Sequence, residues 1–147
     1  MLNSPILAPV VILVAWTLVV WIWMYATRLP AMARAGIDGT RLVGSNGPSL
    51  RADLIAKGEV RASWVADNYN HLLEQPTVFY AIALTHALLG TGDGFNLQLA
   101  WGYVVLRIAH SLVQILVNLV VIRFSLFSLA TLCLMGLTLH AGIDLLY

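Results

Sequence analysis

Three observations predict an all-α integral membrane protein built as a four-helix bundle. Of 147 residues, 60% are hydrophobic and only 10% charged, with a mean hydropathy of +0.84; soluble domains carry about 25% charged residues. Four apolar segments, at about residues 5–27, 62–89, 97–122 and 125–146, each reach the roughly 20 helical residues that cross a hydrocarbon core. The basic residues are gathered in the connections and largely kept out of the apolar runs.

The elements follow in order. The first segment is uncharged between Pro5 and Thr27, and its length and lack of a basic leader argue for a span rather than a signal peptide. The long connection, about residues 28–61, holds Pro30, Gly36, Gly39, Gly44, Gly47 and Pro48, so turns dominate it; Arg51–Gly58 has room for a short helix. The second segment is polar in its first half and contains Pro76, which has no N–H for the carbonyl of Leu72 and predicts a kink. A Gly-Thr-Gly-Asp-Gly run, residues 90–94, turns the chain into the third segment. Arg123 and Phe124 alone separate the third and fourth segments, which predicts a close helical hairpin.

Orientation follows from the cations. Arg28, Arg34, Arg41, Arg51, Lys57 and Arg61 lie in or beside the first connection, Arg123 marks the third, and the second holds only Asp93. The positive-inside rule puts the first and third connections in the cytoplasm and both termini on the other side. Trp21, Trp23, Tyr25, Trp101 and Tyr103 fit interfacial anchors and packing. The single cysteine, Cys133, fits a packing role. A net charge of +1 points to no nucleic-acid partner, and no Cys/His spacing fits a metal.

The chemistry is concentrated in two segments. Tyr103, Arg107, His110, Ser111, Gln114 and Asn118 recur at helical spacing along one stripe of the third. Arg61, Asn68 and Gln75 share one face of the second, with Asp67, His71 and Glu74 beside it and Asn70 on the same polar half. Charged groups at membrane depth are costly unless they meet protein, water or a partner. With Arg61 and Arg123 at the cytoplasmic face, Glu74 and His110 each lie 13 residues deeper, about 20 Å into an antiparallel pair of helices. That register predicts a Glu74–Arg107 ion pair flanked by His110, with Asn68 near Ile115–Asn118. Its product is a polar cleft rimmed by Arg61 and Arg123, suited to a small zwitterion with more than one carboxylate. Each polar group also has a purely structural reading, as interhelical glue or a charge anchor. His140 and Asp144, four apart, are expected to pair, and His86 to make a helix–helix contact.

Two of these segments carry a resemblance. Asn68-Tyr-Asn-His-Leu-Leu-Glu-Gln-Pro76-Thr-Val-Phe79-Tyr80 resembles the Asn-x-x-Glu-x-Pro-x-x-Phe pattern of the MAPEG superfamily, membrane-associated proteins of eicosanoid and glutathione metabolism. Arg107-Ile-Ala-His110, with Arg123 downstream, resembles its Arg-x-x-His motif. The resemblance implies a homotrimer in the lipid bilayer with glutathione bound between subunits near the cytoplasmic face. Carried over by position, Arg61, Arg107 and Arg123 would hold carboxylates, Glu74 the ammonium, His110 the peptide, and Arg123 the reactive thiolate. Asn68, Asn70, His71, Gln114 and Asn118 complete the substrate-binding set. The pattern departs at three positions: His71 stands where the family has Asn, Gln114 where it often has an aromatic hydroxyl, and Phe127 where several members carry Tyr.

The function so implied is a glutathione-dependent transferase or peroxidase acting on a small lipophilic substrate. Its location is a multi-pass membrane one, the inner membrane if the source is bacterial. The alternatives are a non-catalytic structural or lipid-binding protein that retains the fold, which Phe127 favours, and a small transporter, against which the first and last segments lack a mid-membrane acid.

Overall fold

The computed structural model of the chain describes residues 4–44 and 46–146. Among them are six helices and no strand: α1 (Leu7–Arg34), α2 (Gly47–Ala56), α3 (Val60–Leu73), α4 (Gln75–Leu89), α5 (Gly94–Leu116) and α6 (Val120–Leu146). The molecule is therefore all-α, and α1, α5 and α6 are each long and apolar enough to cross a membrane.

The first helix runs past Thr27 to Arg34 with Pro30 inside it. A proline removes one backbone bond, but the flanking turns carry the helix on. It stops where Gly36, at φ 69°, allows a left-handed cap: Gly36 N–H donates to Ala33 O and Ile37 N–H to Met32 O. The short helix that the sequence had room for forms as α2, slightly earlier than expected. Asn46 and Ser49 cap it reciprocally, Ser49 N–H donating to Asn46 Oδ1 at 2.9 Å. Fully buried Leu54 fixes it against Ala31, Ala35 and Ala62.

The second apolar segment is divided. The chain leaves helical geometry at Glu74 (φ −87°, ψ −98°), and Pro76 sits in the first turn of α4, where its missing N–H does little harm. The expected kink is thus a full break between α3 and α4.

The hairpin of α5 and α6 forms, but its turn falls at Val117–Leu119 rather than at Arg123–Phe124. Asn118 supplies the turn by adopting φ 56°, a conformation that asparagine tolerates better than most residues. Arg123 consequently sits in the first turn of α6, not in a connection.

The core joins Leu13, Val20 and Met24 of α1 to Val65, Leu72, Phe79, Tyr103, Val104, Leu134 and Leu137. Phe79 and Tyr103 stack at 4.5 Å between centroids. Outward faces are equally apolar, with Val11, Leu18 and Ile22 of α1 and Leu132, Met135 and Leu139 of α6 exposed. Against lipid, such residues gain nothing from being buried, so helix association depends on packing and on interhelical hydrogen bonds. At one end Ile6 N–H donates to Gly92 O, and His86 donates from Nε2 to Leu137 O at 3.0 Å, joining α4 to α6. His140 does not pair with Asp144; its Nδ1 donates to Asn96 Oδ1 at 2.7 Å, because Asn96 at the start of α5 lies directly across the helix contact.

Candidate functional site

The polar residues of α3 and α5 meet along the contact between the two helices. Ser111 is a shared acceptor, taking Asn68 Nδ2 at 2.6 Å and Trp16 Nε1 at 3.0 Å, so one fully buried hydroxyl ties α1, α3 and α5 together. One turn on, His71 Nδ1 donates to Gln114 Oε1 at 3.0 Å. Arg107, only 1% exposed, donates from Nη2 to the carbonyl of His71 at 2.8 Å. That carbonyl lies where the α3–α4 break disrupts the helical ladder, so the guanidinium fills a position the backbone has vacated.

Beside this contact lies a polar recess of about 340 Å³, lined by Arg51, Asp67, Asn70, His71, Glu74, Gln114, Asn118 and Arg123. It is bounded by the end of α3, by Gln114 and Asn118 at the α5–α6 turn, and by Arg51 of α2. Arg123 Nη1 donates to Asn118 Oδ1 at 2.6 Å, which holds the guanidinium over the turn. Glu74 is exposed and, among the described residues, has no ion-pair partner.

Of the ten sequence-predicted residues, six line the recess: Asn70, His71, Glu74, Gln114, Asn118 and Arg123. Three are buried behind it: Asn68, Arg107 and His110. The last, Arg61, is exposed on another recess of about 420 Å³ between α1 and α3, with Trp23, Thr27, Arg34, Glu59 and Val65. There Arg34 closes a two-bonded pair on Glu59 at 2.7 and 2.8 Å, and this hydrogen bonding holds the Glu59 carboxyl below the usual carboxylate range.

Two expectations are corrected. The Glu74–Arg107 ion pair does not form: Arg107 points to the His71 backbone while Glu74 faces the recess. Asn68 meets Ser111 rather than the 115–118 stretch. Both have one cause. Depth counted from the cations puts the α5–α6 turn at Arg123, and the actual turn at Asn118 shifts the α3–α5 register by about one helical turn.

Arg107 instead has an aromatic neighbour. Its guanidinium carbon lies 5.6 Å from the centroid of the Phe127 ring. His110, 4% exposed, has its ring 6.3 Å from both His71 and Phe127. Arg107 Nε and Nη1, His110 Nδ1 and Asn68 Oδ1 are buried with no hydrogen-bond partner among the described residues. Gln75 bridges neighbouring elements, donating to Thr131 Oγ1 and accepting from Tyr103 Oη.

Helical spacing does not single out Arg51 and Asp67, which also line the recess. Arg51 Nε donates to both Asp67 oxygens, at 3.0 and 2.9 Å, which brings α2 to the edge of the recess. Asp67 was visible on the polar face of the second segment, but the reach of Arg51 depends on how α2 docks, which helical spacing does not encode.

The site therefore offers carboxylates, guanidinium groups, amides and a histidine in one small volume. Among the described residues no three His, Cys, Asp or Glu side chains gather as a metal site. The family model described as MAPEG family matches residues 6–143, nearly the whole chain, and the protein belongs to that family. No curated protein and no solved structure matches it. Membership together with the three apolar helices makes this an integral membrane protein associated with the lipid bilayer. It also supports a glutathione-related kind of function at the level of the family.

Proposed function

We propose that this member of the MAPEG family is a glutathione-dependent membrane transferase or peroxidase acting on a small lipophilic substrate. In this reading α3 and α4 together make the second of four spans, the termini lie on the non-cytoplasmic side, and the subunits assemble as a homotrimer.

One observation carries the reading. Among the described residues, the recess presents a carboxylate in no ion pair, Glu74, and a guanidinium, Arg123, whose one hydrogen-bond partner is an amide, within a wall of Asn70, His71, Gln114 and Asn118. Glutathione carries one ammonium, two carboxylates and a thiol, so its charges are complementary to this set. Glu74 would take the ammonium, and the amides and His71 the peptide. Arg123 would hold the thiolate, whose negative charge a neighbouring cation stabilises. Arg107 and His110 would act as positioning residues, through the His71 carbonyl and ring. Arg61 has no role in the recess of a single subunit.

In transfer, the thiolate sulfur attacks an electrophilic carbon and a leaving group departs with its electron pair. In peroxide reduction, it attacks the O–O bond, releasing an alcohol and a sulfenic acid that a second thiol converts to a disulfide and water. The apolar outer faces of α1 and α6 would let the lipophilic partner arrive from the bilayer.

A second reading, a non-catalytic lipid-binding or structural protein, is favoured by Phe127, which puts a ring without a hydroxyl beside Arg107 and His110. Turnover of a model electrophile and of a lipid hydroperoxide with glutathione separates the two. The enzyme reading expects turnover by the wild type, reduced by Arg123→Ala at least about tenfold, with a thiolate absorbance band on glutathione addition. No band and no turnover with either substrate would leave the non-catalytic reading.

A further inference from the structure

Two of the three surface arginine–carboxylate pairs among the described residues, Arg34–Glu59 and Arg51–Asp67, differ in how much of the guanidinium they use. Arg34 closes on Glu59 with Nε and Nη2 together, one nitrogen to each oxygen. Arg51 meets Asp67 with Nε alone, shared between both oxygens. Its Nη1 and Nη2 have no hydrogen-bond partner among the described residues, although Arg51 lines the polar recess. A guanidinium held from its side in this way keeps its Nη1–Nη2 edge, which can meet a carboxylate with two parallel bonds, free and oriented.

The platform beneath it is stiff. The Asn46–Ser49 capping box fixes the start of α2, and buried Leu54 fixes its underside. Arg51 extends from this helix across to α3, so its long side chain is tethered at both ends. Tethering lowers the entropy that an arginine would lose on binding a ligand.

We infer that Arg51 is a carboxylate-recognising residue of the recess and that Asp67 is the positioning residue that aims it. The inference rests on the reading that the recess binds glutathione, and it adds to that reading a ligand carboxylate held from α2, on a different element from Arg123. The ligand class is a short peptide or amino acid with a free carboxylate remote from its reactive group. Exchanging that carboxylate for a neutral amide removes the interaction and leaves the rest of the ligand in place.

Equilibrium binding to the purified full chain tests this. The probes are glutathione and two analogues, each with one carboxylate converted to an amide. Arg51→Lys keeps the charge but loses the fork, and Arg51→Gln loses both. Arg51→Lys should weaken glutathione about tenfold, and the loss should disappear against the one analogue whose missing carboxylate is the one Arg51 holds. Asp67→Asn should weaken glutathione less, and should add nothing in the Arg51→Gln background. If the wild type binds glutathione while the Arg51 variants match it against all three probes, the subsite is refuted and the glutathione reading survives. If Asp67→Asn and Arg51→Gln simply add, Asp67 is not aiming Arg51 and that part of the inference fails. If the wild type binds none of the probes, both readings fall together.

Discussion

Ser111 shows how much a single small residue contributes here. Two donors from different helices, Asn68 and Trp16, converge on its hydroxyl in a fully buried position. Ser111→Ala leaves both donors unsatisfied, and the loss should be about 1–3 kcal/mol for each buried group so stranded. Trp16→Phe removes a donor together with its need, leaves Ser111 still bonded to Asn68, and should cost much less. Unfolding of the two variants in the same detergent measures the difference, and equal losses would contradict the assignment. Phe127 is the other informative residue. Its ring lies over Arg107 and near His110, so Phe127→Tyr places a phenol hydroxyl at the edge of the cluster of buried donors. On the proposed function this variant should raise the turnover of a model electrophile, with little change in glutathione affinity. A lower kcat would show that the hydroxyl has no productive position there.

At the scale of elements, the break at Glu74 links fold to site. The missing N–H of Pro76 and the departure at Glu74 turn that carboxylate into the recess, while Arg107 takes the carbonyl of His71. Pro76→Ala restores a donor for Leu72 O and favours a continuous α3–α4 helix. Glutathione should then bind several-fold more weakly without loss of thermal stability, because Glu74 leaves the recess. Unchanged affinity would mean that the break does not set the position of Glu74. The turn between α4 and α5 makes a separate test of packing. A Cβ on Gly92 would run into Ser4 Oγ and lie 2.7 Å from Ile6 Cγ2, with the Ile6 backbone held close by its hydrogen bond to Gly92 O. Gly92→Ala should cost about 1–3 kcal/mol by overpacking. At Gly102 the nearest atom is Cys133 Sγ at 3.3 Å, so Gly102→Ala asks only for a small shift and should be tolerated far better. Thermal melts of the pair check the contrast.

For the whole molecule, hydropathy and the spacing of the polar stripe made the all-α class and the membrane setting legible. The apolar runs are long, and the break at Pro76 has a covalent cause. The site was legible as a set of side chains but not as a set of contacts. Asn70, His71, Glu74, Gln114, Asn118 and Arg123 share one recess, as the helical stripes suggested. The partner of Arg107 is not legible, because the cation at 123 marks the wrong place for the α5–α6 turn. The actual turn uses Val117–Asn118–Leu119, with no glycine or proline to mark it; the left-handed tolerance of Asn118 was the one local cue. Arg51 was hidden for a different reason, since its place depends on the docking of α2 through Leu54. Assembly is the remaining level. The extensive apolar exposure on α1 and α6 serves lipid contact and subunit contact alike, and native mass spectrometry of the detergent complex should give three subunits; a monomer that still binds glutathione would remove assembly from the account.

The most direct measurement is a calorimetric titration of glutathione into the purified membrane protein, run on the wild type, Glu74→Gln and Arg61→Gln. Saturable binding by the wild type, weakened about tenfold or more by Glu74→Gln and left unchanged by Arg61→Gln in its separate recess, is the predicted result. No heat with the wild type, or a loss confined to Arg61→Gln, would contradict it.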